Sequence, residues 1–362
     1  MPYFISLPAV LFIIGCLLIA YYVFKNFSGQ EEDAGYLFDK RFSIVIAAKN
    51  EQLLIADLIK SLAKINYPAE KLEILIVDDN STDCTYQSAL KTAEAYFNIK
   101  ILRADKKKLP GKKGALDYAI SNACGEYIMI TDADCIPEKE WVKNYSAKFS
   151  EGYDLLFGIA PFIAGGNIIN KISCFENLRS SLITFAAAGM GIPYSASARN
   201  FAFKKSSFLR LNGYFNTLDA LGGDDDLLLR EALKKKLKIG TVAFNGTKVF
   251  SFTKKNLNDY LKQKSRHTKT SFHYLPFHQV LLASWHLVSL FFLFSPLLSA
   301  INPLFLSLFF IKISADLLLV LIFQRKFGYG FNPLQIIYLQ IFYELFLILN
   351  FFNALFRKDN WD

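Results

Sequence analysis

Hydrophobic positions follow two different patterns along this chain. Toward both ends they run on without relief. Tyr3–Phe24 contains no charged residue and is long enough to cross a hydrocarbon layer of roughly 30 Å. Val280–Ser299 and Leu304–Phe323 are also apolar runs of spanning length, separated by Ile301-Asn302-Pro303. Lys312 and Asp316, four residues apart in the second, are expected to pair with each other facing protein, because unpaired charges are costly in lipid. Pro333–Phe356 is a further candidate that carries Gln335, Gln340, Glu344, Asn350 and Asn353, so it reads either as a third C-terminal span packed through polar contacts or as an embedded segment that returns. Between the ends, short branched runs alternate with stretches of helical spacing. Phe42–Ala48, Glu73–Val77, Ile99–Leu102 and Tyr127–Thr131 read as buried strands. Gln52–Leu62, a stretch ending at Tyr96, Gly111–Ala123, Asn167–Ala188, Lys204–Leu211 and a stretch from Leu227 read as helices.

Strand, helix, strand, helix, with polar loops at the ends of the strands, predicts a doubly wound α/β sheet. Ligands of such sheets bind outside the carboxyl ends of the strands. Four polar groups occupy those ends: Asn50-Glu51, Asp78-Asp79, the Gly111-Lys112-Lys113-Gly114 turn, and Asp132-Ala133-Asp134. Each has a plain alternative. Asp78-Asp79 can be a helix-capping cluster, and Lys112-Lys113 a solvated charge pair. Their recurrence at equivalent positions argues for one crevice. Two carboxylates one residue apart at a strand end suit Mg2+ or Mn2+, whose other positions can take phosphate oxygens.

Composition sharpens this picture at three points. The chain has 362 residues, 52% of them hydrophobic, with 35 phenylalanines. That excess sits at the ends, so an integral membrane protein with a polar middle is expected. The net charge is +9, with lysine and arginine concentrated between Lys25 and Lys269. A basic middle beside apolar ends points to anionic membrane lipids or anionic nucleotides, not to nucleic acid. A cleaved signal peptide would want a basic start and a small-residue cleavage site, but no lysine or arginine precedes the first apolar run and Lys25 directly follows it. The positive-inside rule then places the middle domain in the cytoplasm, as expected of a protein in a bacterial inner membrane. Cys16, Cys84, Cys124, Cys135 and Cys174 show no paired spacing and are expected to be free thiols. The expected division is an N-terminal span over 1–25, a linker over 26–41, a catalytic domain over 42–267 and membrane-associated segments over 268–362.

The strings IVIAAKNE, ILIVDDNSTD, GKKGALDYAI and YIMITDADC, in this order and spacing, resemble the family 2 glycosyltransferases. These are inverting enzymes of the GT-A fold that use nucleotide-sugar donors. The resemblance covers about Phe42 to His267. It implies that Glu51 and Asp79 contact the nucleoside, that Lys112 lies near the diphosphate, and that Asp132 and Asp134 hold the metal and the diphosphate. The chain departs from the usual pattern at Ala47, Lys49 and Asp117, none of which removes a charge the chemistry needs.

Two later stretches take their meaning from the same resemblance. Gly222-Gly223-Asp224-Asp225-Asp226 opens the helix LLLREALKKKLK, and acids at a helix start with lysines at its end are favourable dipole chemistry in themselves. The family places the catalytic base shortly before a Leu-x-x-Arg run, which puts Asp224 on the base, with Asp225 as the alternative. Gln263-Lys264-Ser265-Arg266-His267 resembles the Gln-x-x-Arg-Trp motif of membrane-integrated members, with His267 in place of Trp. Gln263, Arg266 and His267 would then line the acceptor site, together with Asn200, and Arg266 would also stabilise the leaving diphosphate. A basic interfacial helix would account for the same residues.

The expected protein is therefore a membrane-integrated inverting glycosyltransferase with a nucleotide-sugar donor, UDP-linked, and a lipid, lipid-linked glycan or growing polysaccharide as acceptor. A processive polysaccharide synthase is the alternative within the class. A non-catalytic nucleotide-binding scaffold is the alternative outside it.

Overall fold

The structure is a computed structural model that describes residues 2–28, 38–220 and 222–356. Most of the expected linker, residues 29–37, and the basic pair Arg357-Lys358 lie outside the described residues. Along the chain the elements are α1 (Pro2–Ser28), β1 (Phe42–Ala48), α2 (Ile55–Leu62), β2 (Leu72–Asp78), α3 (Thr85–Ala93), β3 (Ile99–Arg103), α4 (Gly111–Asn122), β4 (Tyr127–Ile130), β5 (Cys135–Pro137), α5 (Trp141–Ser150) and β6 (Leu155–Gly158). They continue with α6 (Ile168–Gly189), β7 (Phe201–Lys204), α7 (Lys205–Arg210), α8 (Asp226–Lys234), β8 (Ile239–Val242), β9 (Val249–Ser251), α9 (Leu257–Ser271), α10 (Pro276–Phe294), α11 (Phe305–Phe323) and α12 (Pro333–Phe356). They assemble into two compact units.

The first unit comprises residues 26–160 and 193–252. It holds a seven-stranded sheet in the order β3-β2-β1-β4-β7-β6-β8. Strands β1 to β4 run parallel, with Ala48 beside Asp78 and Val45 beside Ile130. Ile44, Val45 and Ile46 are all fully buried, because helices cover both faces of the sheet. This is why the strands read as unbroken apolar runs. Helix α2 closes one face with Ile55, Leu58, Ile59 and Leu62, the spacing of one helical stripe. The doubly wound α/β sheet is as expected, and it is mixed, because β7 enters antiparallel to both β4 and β6. Strand direction is set by the connection, and the apolar residues of β7 do not encode it. A separate antiparallel pair, β5 with β9, places Cys135 beside Ser251.

The second unit gathers residues 2–25, 161–192 and 253–356. Among the described residues, four helices are long and apolar enough to cross a membrane: Ser6–Ser28, Pro276–Leu298, Phe305–Phe323 and Pro333–Phe356. Phe12 of α1 packs on Trp285 and Phe292 of α10, at ring-centroid distances of 5.4 and 4.9 Å. The pairing expected between Lys312 and Asp316 is present at 2.8 Å. It belongs to a larger buried cluster. Arg179 of α6 reaches Asp316 at 2.7 Å, and Glu344 of α12 reaches Lys312 at 3.2 Å. One turn earlier on α6, Glu176 accepts a 2.5 Å hydrogen bond from the Tyr260 hydroxyl and lies 3.1 Å from Lys264. These contacts place α6 with α9, α11 and α12. Within the stretch 42–267, residues 161–192 and 253–267 group with the helical unit.

Candidate active site

The site is built at the carboxyl edge of β1, β2 and β4, from loops that are tied to one another. Asn50 adopts the left-handed conformation (φ 57°). Its side-chain oxygen accepts from the Thr82 backbone N–H at 2.8 Å, and its own N–H donates to Ser81 Oγ at 3.0 Å. The Glu51 N–H donates to Thr85 Oγ1 at 2.7 Å, while the Glu51 carbonyl receives the first N–H groups of α2. The loop after β1 is therefore fixed to the loop after β2, and the Glu51 side chain stands half-buried at that seam. Asp79, buried at the end of β2, is ion-paired to Lys107 from the β3–α4 loop.

Helix α4 opens against that loop. Gly111 takes φ 59°, and a Cβ at Gly114 would lie 1.8 Å from the Leu109 carbonyl oxygen. Only glycine allows this approach, which sets the direction of the first helical turn. From it the Lys112 Nζ stands 2.7 Å from Asp132 and 2.7 Å from Asp224. Burial works against its charge, but the two carboxylates outweigh burial and hold the ammonium well above its usual pKa. One lysine thus joins the first aspartate after β4 to the acidic loop before α8.

The three consecutive acids of that loop differ in what they touch. Asp225 caps α8 and uses both carboxylate oxygens on backbone N–H groups, those of Ala198 and Asp226, each at 2.7 Å. Burial, then the neighbouring carboxylates of Asp226 and Asp224, push its pKa well above the ordinary carboxylate range. Asp226 accepts from the Ala196 N–H at 2.9 Å. Asp224 alone of the three is paired with Lys112.

The side chains of Asp132, Asp134 and Cys135 offer ligand atoms that all lie within 4.8 Å of one another. Two carboxylates suit a hard divalent cation such as Mg2+ or Mn2+. Burial first, then both carboxylates, raise the Cys135 thiol pKa, and a protonated thiol is a poor ligand for such an ion. The residues present therefore fit a metal held by Asp132 and Asp134.

Residues 43–209 match the sequence profile of glycosyl transferase family 2. The chain carries a family 2 glycosyltransferase domain. Within the matched span the glycosyltransferase domain includes β1 to β4, the Lys112 turn and the Asp-x-Asp, while the acidic loop at Asp224 lies beyond it. Among curated proteins, the chain is 42% identical to a beta-monoglucosyldiacylglycerol synthase of Nostoc sp. over 25% of this chain and 20% of that protein. It is 31% identical to a dolichyl N-acetyl-alpha-D-glucosaminyl phosphate 3-beta-D-2,3-diacetamido-2,3-dideoxy-beta-D-glucuronosyltransferase of Methanococcus voltae over 52% of this chain and 54% of that protein. These alignments span between a fifth and about half of the relatives' lengths. A mannosyltransferase from Pyrobaculum calidifontis, solved with GDP-Man and Mn2+, shares the fold, with a TM-score of 0.57 and 17% identity over 98% of this chain and 100% of that one.

Four other residues were expected at the site. Asn200 was expected on the acceptor side, yet it is fully buried. Its Oδ1 accepts from Trp141 Nε1 at 2.8 Å and from the Tyr145 hydroxyl at 2.6 Å, and its Nδ2 donates to the carbonyls of Ile159 and Thr247 at 2.8 and 3.0 Å. All of its hydrogen-bonding capacity is spent inside the sheet unit, so Asn200 holds that unit together instead of facing a ligand. Gln263, Arg266 and His267 lie on α9 of the helical unit, Gln263 and Arg266 half-buried and His267 exposed. Sequence reasoning missed Lys107, and it missed that Lys113, unlike Lys112, turns to the backbone carbonyls of Thr217 and Ala220. The run Lys106-Lys107-Lys108 marks a basic loop but not which lysine turns inward.

Proposed function

We propose that this protein is an inverting glycosyltransferase that moves a sugar from a nucleotide-sugar donor, UDP-linked, to a membrane-associated acceptor such as a lipid or lipid-linked glycan. The observation that carries this reading is the position of the Lys112 ammonium, 2.7 Å from both Asp132 and Asp224. It brings the Asp-x-Asp and the candidate base to one point at the sheet edge.

In this reading Glu51 and Asp79 face the nucleoside, and Lys112 lies against the diphosphate. Asp224 takes the proton from the acceptor hydroxyl as its oxygen attacks the anomeric carbon. The bond from that carbon to the diphosphate oxygen breaks, and the nucleoside diphosphate leaves with the electron pair. Asp225 is set aside as the base because both of its oxygens already accept backbone N–H groups. A divalent cation held by Asp132 and Asp134 supplies charge neutralisation for the leaving diphosphate. Gln263, Arg266 and His267 are assigned to the acceptor, and Arg266 also to the leaving diphosphate. The apolar helices and the relatives' lipid acceptors support a membrane-bound acceptor. Lys25 after the first apolar run supports a cytoplasmic site in a bacterial inner membrane.

The test is a panel of nucleotide sugars with the purified full-length protein in detergent. Transfer or hydrolysis of a member of the panel is expected, with loss in Asp134→Ala, in Asp224→Asn and after full chelation by EDTA. Turnover at the wild-type rate in either variant, or after chelation, refutes the corresponding assignment.

A further inference from the structure

Lys113 differs from its neighbour in every respect that bears on the site. It is 2% exposed, which is rare for lysine without a partner. Its ammonium donates to two backbone carbonyls, those of Thr217 and Ala220, the latter at 3.0 Å. Those carbonyls belong to the segment that leads into Gly222-Gly223-Asp224. The same segment is held on its other side by Arg230, which donates to the Asn216 carbonyl and to Asp219, each at 2.9 Å. Burial drives the Lys113 pKa down to about 8, and the nearby carboxylates of Asp224, Asp225 and Asp219 only partly offset this. A lysine kept here at that cost is doing something an apolar residue could not.

The geometry of α4 makes the division clear. Lys112 and Lys113 are successive residues, so their side chains leave the helix about 100° apart. One meets the carboxylate of Asp224. The other meets the backbone of the loop that carries it. A single helical turn therefore grips Asp224 twice, at its side chain and through its approach. The Gly222-Gly223 pair lies between the Lys113 anchor and Asp224, with Gly223 at φ 78°, and glycine permits the largest conformational spread.

We propose that Lys113 is a positioning residue for Asp224. By pinning the 217–220 segment to the first turn of α4, it restricts the glycine-linked acid to the spot where Lys112 and the acceptor hydroxyl can meet it. This rests on the reading that Asp224 takes the acceptor proton, and the experiment separates the two. Lys113→Met keeps length and bulk but has no donor. In full-length protein, the stoichiometry and affinity of UDP and GDP, titrated with Mn2+, should stay within about threefold of wild type, as Lys113 touches no expected donor-binding group. The kcat for the best donor of the panel should fall about 100-fold, the loss expected when a catalytic group is misplaced by about 1 Å, with donor KM little changed. Lys113→Arg, which restores donors to the carbonyls, should recover most of that kcat.

A purely structural lysine would lower binding stoichiometry and kcat together. That result overturns the proposal, as does a Met variant with wild-type kcat or an Arg variant as slow as the Met variant. Wild-type turnover by Asp224→Asn instead overturns the assignment of the base, whatever Lys113 does.

Discussion

Replacing Asn200 by alanine separates an acceptor-binding role from a structural one. The substitution removes four hydrogen bonds from a fully buried site. Not all four partners are orphaned. The Ile159 carbonyl also accepts the Val249 N–H at 3.1 Å, and the Tyr145 hydroxyl can turn to the backbone carbonyl of residue 200, 3.2 Å away. The indole N–H of Trp141 and the Thr247 carbonyl lose these partners and remain buried. Each such group costs about 1–3 kcal/mol, so a loss of about 3 kcal/mol is expected from the pair. In a unit of this size 1 kcal/mol shifts the melting temperature by about 2–4 °C, which gives a drop of about 6–12 °C. Thermal melts of the full-length protein in detergent, followed by tryptophan fluorescence, measure it, since Trp141 itself reports on the site. Turnover at low temperature, scaled to folded protein, should show an unchanged acceptor KM. A variant that melts within 2 °C of wild type while its acceptor KM rises would refute the burial argument and restore Asn200 to the acceptor site.

Two further substitutions probe the buried ion cluster and the turn that carries Lys112. Asp316→Asn leaves Arg179 and Lys312 short of a carboxylate in a buried setting, and a broken buried pair costs about 3–5 kcal/mol. The detergent melt should fall accordingly, whereas Arg179→Met combined with Asp316→Leu should recover a large part of the loss. Gly114→Ala puts a methyl group 1.8 Å from the Leu109 carbonyl oxygen. It should move the turn that carries Lys112 and weaken nucleotide binding at least tenfold in an Mn2+-containing titration, and wild-type affinity would show that the approach is not needed.

What the sequence disclosed follows the range of the interactions involved. Strands β1, β2 and β4 were legible because burial on both faces leaves an unbroken apolar run, whereas the edge strand β3 carries Lys100 and Arg103 exposed. The Lys312–Asp316 pair was legible because its partners are one helical turn apart. Arg179 and Glu344 complete that cluster from other helices, and no local spacing signals them. The short strands β5, β6, β8 and β9 have three or four residues each, too few for a period to show. Asp225 and Asp224 are chemically identical neighbours. Only the backbone N–H groups brought to Asp225 from residue 198 and from its own helix mark it as a cap. Asn200 looked available because its four partners come from α5, the segment after β6 and the stretch before β9.

The crossing of the chain between its units has a consequence for synthesis. Helix α6 leaves the ribosome while its partners are still unmade. Glu176 must wait for Tyr260, 84 residues later, which at ordinary elongation rates is about 4–17 s. Arg179 waits longer still, for Asp316. Through that interval a helix with two charged residues on its packing side has neither counter-charge in place. The sheet unit can close around β7 and β8 before α9 exists, but α6 cannot settle until the last apolar helices are made. A fragment ended after Phe252 would preserve that interval permanently. Trimming this protein to a tractable core therefore means either removing α6 together with the C-terminal helices or keeping them all.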